Sequence, residues 1–290
     1  MNGIQAAILP DGRRLHLQHG PIDLVIRADG APEEVRAAYA QATAAFQDVL
    51  GTLVRELAML RAPLGDTRPP VEGPVALRMV DACWPYRHEF ITPMAAVAGA
   101  VADHVLEKML AGRTIERAFV NDGGDIAFHL SAGWRLNCGV VADLTAPSVD
   151  GTIALTAEMP VRGIATSGRA AKGRGGRSFS FGIADAVTVL AADAAAADAA
   201  ATMIANAVDL PGHPAITRGP ACEIDPDSDL GDRLVTLDVG PLPAAAVRAA
   251  LAAGAARAEA LRRTGHIYGA VLVLQQQFAT VGARVDRLAA

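Results

Sequence analysis

Two side chains in one alanine-rich segment have the chemistry and the spacing of a cation site. In the segment 193–206, DAAAADAAATMIAN, Asp198 and Thr202 stand four residues apart, so a helix would place both on one face. A carboxylate and a hydroxyl on one face can share a hard cation such as Mg²⁺, which prefers oxygen ligands. The same spacing suits an exposed aspartate and a threonine that bonds back to its own helix, so the spacing leaves both interpretations open.

A glycine-rich turn is the second feature that suits a ligand. The segment 121–125 reads NDGGD and places Asn121 and Asp125 on either side of Gly123 and Gly124. Paired glycines permit positive φ angles and let backbone amides approach a bound molecule closely. An ordinary turn between two strands explains the same residues.

The segment 163–178 resembles a phosphate-binding loop only at its start. GIATSGRA fits the pattern GxxxxG, but Arg169 and Ala170 stand where a P-loop needs lysine and a hydroxyl. No predicted helix follows that would receive a phosphate at its N-terminus. We therefore predict a strand end followed by a basic loop, which either closes over an anionic ligand or is a solvated turn. The cationic residues of this loop are Arg169, Lys172, Arg174 and Arg177.

Two other motif classes are not supported. The acidic segment 224–232 resembles a calcium loop, but Gly231 occupies its seventh position and Thr236 the twelfth, where a bidentate glutamate is required. The seven histidines form no HxxxH or HExxH pattern. His88, just before a helix of small residues, is the histidine that we select as a catalytic candidate.

Composition limits the classes of partner. The 290 residues carry a net charge of -5, which provides no global attraction for nucleic acid or for an anionic membrane surface. The three cysteines form no CxxC pair, which favours a reducing compartment, and the apolar run 94–102 is too short to cross a bilayer. The N-terminal residues lack a signal-peptide pattern. We expect a cytoplasmic protein with a small-molecule ligand and no nucleic-acid or membrane partner.

Alternation and turn residues predict a chain in which strands dominate and helices are inserted between them. Alternation on both sides of His19-Gly20-Pro21 predicts an opening hairpin, and apolar residues at steps of three and four predict a helix over 32–61. Thr92 and Pro93 are typical of the start of a helix over 94–112. Further helices are predicted at about 193–207 and 243–263, and strands at 75–80, 117–121, 125–130, 134–141, 152–157, 161–166, 178–182, 185–191, 234–239 and 266–274. This pattern predicts an α+β fold with a largely antiparallel sheet and packed helices.

Four segments, in this order, resemble the ApbE-like superfamily, whose characterised members are magnesium-dependent FAD:protein FMN transferases. The helix PMAAVAGAVADHVLEKMLAG followed by AFVNDGGDI looks like that family's glycine-alanine helix and NxGGD turn. RGIATSG looks like its ATSG strand end, and ADAVTVLA with ADAAAT looks like its VTV strand and Asp-x-x-x-Thr helix. The resemblance covers about 92–208, and we expect 1–290 to form a single ApbE-like unit. Within the superfamily the sequence most resembles a separate branch, in which TPMAAVAGAVAD, the SFSFGIADAV run and a late DPDSDLGDR loop occur together.

The resemblance implies roles for particular residues. Asp198 and Thr202 would be Mg²⁺ ligands, together with the backbone carbonyl of Val97. The flavin pocket, for FAD or FMN, would be lined from the turn and from the strand end. Its residues would be Asn121, Gly123, Gly124, Asp125, Thr166, Ser167 and Gly168, with Arg169 and Arg177 from the basic loop beside them.

Two departures from the family pattern leave two functions open. Ala98 stands where the transferase helix has a lysine, and the segment 181–185, FGIAD, replaces a segment with histidine. One function is an enzyme that transfers or hydrolyses at the pyrophosphate of a flavin nucleotide, with an acceptor protein as partner. The alternative is a non-catalytic accessory protein that binds a flavin, a pterin or another anionic heterocycle. The small-residue helix would also suit packing in a homo-oligomer.

Overall fold

The computed structural model describes residues 3–140, 151–168, 179–282 and 286–287. The chain divides into two compact units, and neither is one continuous segment. The first comprises Met1–Leu136, Leu155–Ala165 and Ala191–Ala199, and the second Asn137–Ala154, Thr166–Leu190 and Ala200–Ala290. The expectation that 1–290 forms a single ApbE-like unit stays a prediction.

The helices and strands up to Leu130 belong to the first unit. They are β1 (Gln5–Ile8), β2 (Leu15–His19), β3 (Ile22–Asp29), α1 (Pro32–Phe46), α2 (Val49–Leu60), α3 (Pro74–Cys83), α4 (Val97–Leu110), β4 (Arg117–Asp122) and β5 (Asp125–Leu130). Two 3-10 turns, Trp84–Tyr86 and Pro93–Ala96, connect α3 with α4.

The remaining elements follow from Arg135 onward. They are β6 (Arg135–Val140), β7 (Gly151–Thr156), β8 (Gly163–Ser167), β9 (Ala186–Ala191), α5 (Ala194–Ala207), β10 (Ile216–Pro220), α6 (Ala221–Ile224), β11 (Leu234–Val239), α7 (Ala244–Arg263), β12 (Gly269–Leu274), β13 (Gln277–Val281) and β14 (Asp286–Arg287).

The first unit is built on an antiparallel meander. Strands β1 to β5 pair in sequence order, and β5 pairs antiparallel with the start of β8. The predicted opening hairpin is β2–β3, and its turn residue Gly20 has a φ of +57°. Alternate residues such as Leu24 and Ile26 are fully buried, because α1 and α4 pack against one face. This sheet places the end of β4 and the start of β5 beside α4.

The second unit has its own antiparallel pairs. β12 lies between β9 and β13 and is buried along its whole length, with α7 packed against β12 and β13. β10 and β11 form a separate hairpin with a register shift between Thr217 and Arg218. Helices mixed with antiparallel strands in both units confirm the predicted α+β class.

The predicted strand at 75–80 is wrong, because this segment belongs to helix α3. Pro74 stands at the first helical position, where its fixed φ suits a helix. Val75, Met79 and Cys83 are buried at steps of four, which is a helical period and not an alternation. The prediction missed this helical period and the helix-start signal of Pro74.

Two further boundaries differ from the sequence predictions. The helix predicted over 32–61 is two helices, with a break at Gln47 and Asp48 that the continuous apolar stripe conceals. The described part of 178–182, from Phe179, is not a strand. Its backbone instead bonds to the end of α5, since the Phe181 N–H donates to Asn206 Oδ1 (3.1 Å).

Candidate functional site

The N-terminus of α5 is capped by an aspartate from another helix. The N–H of Ala194 donates to Asp103 Oδ1 at 3.0 Å, and the N–H of Ala195 donates to Asp103 Oδ2 at 2.8 Å. Asp193, the residue directly before α5, caps the same helix end, because its Oδ1 accepts the Ala196 N–H at 2.7 Å. The first turn of α5 is thus bonded to the middle of α4.

Asp198 forms the reverse contact, from α5 to the first turn of α4. Its Oδ2 accepts the N–H of Gly99 at 3.1 Å. A Cβ on Gly99 would lie 2.3 Å from the carbonyl oxygen of Ala194, so the two helices touch backbone to backbone here and only glycine fits. Each helix therefore supplies an aspartate to the N-terminus of the other, where helix dipoles favour negative charge.

Asp198 is a buried carboxylate with other negative charges near it. Burial raises its pKa well above the ordinary value, and the negative charge of Asp125 raises it further. The bond from the Gly99 N–H opposes this effect, whereas Asp122 and Asp103 add to it. A cation beside Asp198 would relieve this repulsion.

Asp103 shows the same tendency. Burial, followed by repulsion from Asp193, raises its pKa to about 6, although the two backbone N–H donors act in the opposite direction. Only 9% of the residue is exposed. The carboxylate of Asp103 therefore takes up its proton at a much higher pH than an exposed aspartate does.

The NDGGD segment is a two-residue hairpin turn between β4 and β5. Asp122 pairs with Asp125, and Gly123 and Gly124 between them have φ angles of +63° and +115°. Asn121 fixes the turn, since its Oδ1 accepts the Gly124 N–H at 2.8 Å. Both glycines are exposed, and no atom of the described residues lies within 4 Å of a Cβ built on either. Both φ angles are positive, as the glycine pair permits.

The turn that precedes α4 is held by a buried cysteine. Cys83 Sγ donates to the carbonyl oxygens of Thr92 (3.5 Å) and Pro93 (3.9 Å). Burial, and then the charge of Asp198, raise the pKa of the Cys83 thiol well above its usual value. The thiol is thus a neutral packing group that holds the 3-10 turn, and Val97 follows this turn as the first residue of α4.

The donor set fits a divalent cation in part. Thr202 lies on α5 one helical turn after Asp198 and is half-buried, as is Val97 in the first turn of α4. A hydroxyl, a carboxylate and a carbonyl are oxygen ligands of the kind that Mg²⁺ binds, with nucleotide phosphates completing the shell. Within the described residues, no three or more His, Cys, Asp and Glu side chains are grouped as a complete metal site.

The ATSG strand end lies in the second unit. Thr166 and Thr188 are joined by a hydrogen bond between their Oγ1 atoms at 2.9 Å. Gly168 has a φ of +141°, and a Cβ there would lie 2.8 Å from the carbonyl oxygen of Asp185. Ser167, which lies between Thr166 and Gly168 in the sequence, is half-buried. The end of β8 is therefore a close backbone contact that only glycine permits.

The two remaining groups of predicted residues are placed as follows. His88 is exposed, with 68% of its side chain accessible, and its Nδ1 lies 4.0 Å from Asp66 Oδ1. It follows the 3-10 turn Trp84–Tyr86. The basic loop with Arg169, Lys172, Arg174 and Arg177 lies outside the described residues.

Sequence reasoning did not single out Asp103 and Cys83. The signal at Asp103 was a carboxylate inside an otherwise apolar helix of small residues, MAAVAGAVADHVL. Such a position requires a buried hydrogen-bond partner. The partners are the N–H groups of Ala194 and Ala195, which lie 91 and 92 residues further along the chain, and no local pattern identifies them.

None of the helices in the described ranges is long and apolar enough to span a membrane.

Antiparallel strands, packed helices and a carboxylate cluster where two helix ends meet define an α+β protein with an acidic site. A family model described as "AbpE bacteria" matches residues 6–280, and the chain belongs to this family within the ApbE-like superfamily. The match includes every described residue of the candidate site.

Similar relatives include UPF0280 proteins. The UPF0280 protein of Methanothermobacter thermautotrophicus is 37% identical over 141 residues, which is 48% of this chain and 51% of that protein. The UPF0280 protein of Archaeoglobus fulgidus is 40% identical over 122 residues, 41% of this chain and 45% of that protein. The chain spans about half the length of these curated relatives. Matches to UPF0280 proteins indicate the separate branch that the sequence resemblance predicted.

Solved structures with a related arrangement have low sequence identity to this chain. The ApbE protein of Thermotoga maritima is 12% identical with a TM-score of 0.49, and the match covers 98% of this chain and 97% of that one. The flavinyl transferase ApbE of Pseudomonas stutzeri, in its apo form, is 13% identical with a TM-score of 0.42, covering 96% and 93%.

Proposed function

We propose that the protein binds a flavin nucleotide together with Mg²⁺ and acts at the pyrophosphate of FAD. The observation that carries this proposal is Asp198, a carboxylate held between two helix ends with its pKa raised by burial and by Asp125. Solved neighbours of low identity are titled flavin and flavinyl transferases, which supplies the ligand class. Family membership makes this ligand class the first to test.

Asp198, Thr202 and the carbonyl of Val97 would hold the cation. A divalent cation there would balance the carboxylates of Asp198 and Asp125, whose mutual repulsion favours protonation. One oxygen of Asp198 accepts the Gly99 N–H, which orients the carboxylate and leaves its second oxygen for a metal. When bound, Mg²⁺ would neutralise charge on the pyrophosphate and on the leaving phosphate.

The flavin nucleotide would approach the hairpin turn. The exposed Gly123 and Gly124 present backbone without side chains, so a ligand can come into van der Waals contact with the chain. Asn121 fixes the turn through its Oδ1 atom, which accepts the Gly124 N–H, and we assign Asn121 to the flavin pocket as a proposal. We assign Thr166, Ser167 and Gly168 to the same ligand as a proposal, together with Arg169 and Arg177 of the basic loop.

A second candidate function is binding without transfer. Ala98, in the first turn of α4, has no side-chain donor or base to contribute. The segment 181–185 is used for packing: the Ile183 N–H donates to the Val208 carbonyl at 2.8 Å, and Gly182 lies against the backbone of Ala205. The carboxylate of Asp185 accepts the Gln275 N–H at 2.5 Å. These contacts favour an accessory protein that holds a flavin, a pterin or another anionic heterocycle.

Release of AMP distinguishes the two functions. Cleavage by water converts FAD into FMN and AMP, and transfer to an acceptor hydroxyl gives flavinylated acceptor and AMP, so AMP is common to both reactions. We would incubate the protein with FAD and Mg²⁺, quantify AMP and FMN by chromatography, and follow binding by flavin fluorescence. AMP formation that is abolished in Asp198→Ala supports the enzyme, and Mg²⁺-dependent binding without AMP supports the accessory protein.

The matched control is Asp48→Ala. Asp48 is exposed at the start of α2 and makes no side-chain capping bond, so this variant removes a carboxylate from a helix start without touching the candidate site. It should bind and turn over FAD as the wild type does. Absence of FAD binding in the wild type, with or without Mg²⁺, would contradict both functions.

A further inference from the structure

Asp103 connects two helices rather than merely ending one. Both of its oxygens accept hydrogen bonds from the first two residues of α5, yet the residue itself lies in the middle of α4. The start of α5 has a separate cap in Asp193, which accepts the Ala196 N–H, and the Asp193 carbonyl accepts the Ala197 N–H at 3.2 Å. Asp193 thus serves the N–H groups of Ala196 and Ala197, whereas those of Ala194 and Ala195 are bonded to Asp103, and these two bonds join α5 to α4.

The contacts between α4 and α5 are spaced by about one turn along each helix. Gly99 precedes Asp103 by about one turn of α4, and Asp198 follows Ala194 by about one turn of α5. Asp103 holds Ala194, while the Gly99 N–H bonds to Asp198, and the backbones touch between these two points. Because a helical turn is stiff, the position of Ala194 determines where the Asp198 carboxylate stands relative to the first turn of α4.

We propose that Asp103 is the positioning residue of the cation site, which sets the Asp198 carboxylate against the first turn of α4, where Val97 lies. This inference rests on the proposed function for its cation. Asp103 itself would not contact the cation or the flavin. Residues that orient a metal ligand through hydrogen bonds typically change metal affinity by about 10- to 100-fold when they are removed.

The test compares Asp103→Ala with Asp193→Ala. Both variants remove a carboxylate that caps α5, but only Asp103→Ala removes the two bonds from Asp103 that join α5 to α4. The first measurement is amide hydrogen exchange at Gly99, which reports its bond to Asp198 and requires no cation. The second is Mn²⁺ binding, followed by electron paramagnetic resonance with Mn²⁺ alone as the probe.

In Asp103→Ala we expect the Gly99 amide to exchange at least about 10-fold faster and Mn²⁺ to bind about 10-fold more weakly, since the Asp198 carboxylate is no longer held in position. Asp193→Ala should keep both properties within about twofold of wild type at a temperature where all variants are folded. Asp103→Asn, which retains one acceptor oxygen, should fall between Asp103→Ala and the wild type.

Two results would overturn the inference. One is wild-type protection of Gly99 in folded Asp103→Ala, and the other is equal loss of protection in Asp193→Ala, which would reduce Asp103 to an ordinary helix cap. If the wild type binds no Mn²⁺, the cation part of the proposed function fails. The exchange data still decide whether Asp103 positions Asp198, so the two failures are distinguishable.

Discussion

Asp103 and Asp198 are carboxylates on two helices that consist mainly of apolar and small residues. Their N–H partners at Ala194, Ala195 and Gly99 account for three of their four oxygens. Burial nevertheless raises the pKa of both side chains. Negative charge on either side chain therefore lowers the stability of the folded protein when no cation is bound.

This cost predicts a pH dependence of stability. The pKa of Asp103 is about 6 in the folded protein against an ordinary value of 3.8. Between these two values the folded state keeps a proton that the unfolded state releases, so the free energy of unfolding falls as pH rises from about 4 to about 6. A pKa difference of about 2 corresponds to ~3 kcal/mol.

Asp103→Asn should remove this dependence. Relative to the wild type, its free energy of unfolding should rise by up to ~3 kcal/mol between about pH 4 and about pH 6, whatever the offset from the altered hydrogen bonds. Urea unfolding at several pH values measures this difference. Asp81→Asn, which changes an exposed carboxylate of α3 paired with Arg68, is the control and should follow the wild-type profile. Parallel profiles for Asp103→Asn and wild type would contradict the expectation.

At the scale of elements, the contact between α4 and α5 depends on a missing side chain. Gly99→Ala would place a methyl group 2.3 Å from the Ala194 carbonyl oxygen, so the helices must separate. We expect a loss of ~2–3 kcal/mol in the free energy of unfolding. Gly51→Ala is the matched control, because Gly51 is exposed in α2 and its nearest neighbour is the Arg55 side chain at 3.9 Å.

The control substitution Gly51→Ala should instead stabilise the protein. Replacing an exposed helical glycine by alanine raises the free energy of unfolding by ~0.5–1 kcal/mol, since the unfolded chain loses conformational freedom. Chemical denaturation of both variants provides the comparison. Gly99→Ala as stable as the wild type would show that α4 and α5 do not pack as closely as described.

The hairpin turn between β4 and β5 yields a second prediction for an element. Gly124 has a φ of +115°, which only glycine adopts readily, whereas Gly123 at +63° is in the left-handed region that asparagine tolerates. Gly124→Ala should therefore cost ~1–3 kcal/mol, and Gly123→Asn should cost less than ~1 kcal/mol. Thermal unfolding of the two variants tests the order, and an equal effect would contradict the turn geometry.

Local patterns predicted most elements near the site, because these elements are defined by short-range rules. The alternation over 117–130 and the glycine pair predicted β4, β5 and their turn, and the small-residue period predicted α4 and α5 within a few residues. Helix α3 was missed because its start at Pro74 and its buried positions at steps of four were not recognised. The residues assigned to the ligand and the cation stay predictions.

At the scale of the whole molecule, the decisive contacts join distant parts of the sequence. Asp103 and Ala194 are 91 residues apart, and Gly99 and Asp198 are 99 apart. No period or motif encodes such a pair, because its bonds depend on how complete helices pack. Sequence analysis therefore did not identify Asp103 as a residue that joins two helices.

Ligand binding should stabilise the folded protein as a whole. At a flavin concentration about 100 times the dissociation constant, binding to the folded state alone adds ~2.7 kcal/mol to the free energy of unfolding. We expect FAD with Mg²⁺ to raise the melting temperature of the wild type and of Asp48→Ala, and to leave that of Asp198→Ala unchanged. Equal stabilisation of all three proteins would show that the ligand binds elsewhere.

The dependence of FAD affinity on Mg²⁺ tests the central claim most directly. Calorimetric titration with FAD would be carried out with Mg²⁺ and with a chelator, on the wild type, Asp198→Ala and Asp48→Ala. We expect Mg²⁺ to strengthen FAD binding at least about 10-fold in the wild type and in Asp48→Ala, and to have no effect on Asp198→Ala. FAD binding that is equally strong with the chelator, or an unchanged Mg²⁺ effect in Asp198→Ala, would contradict this claim.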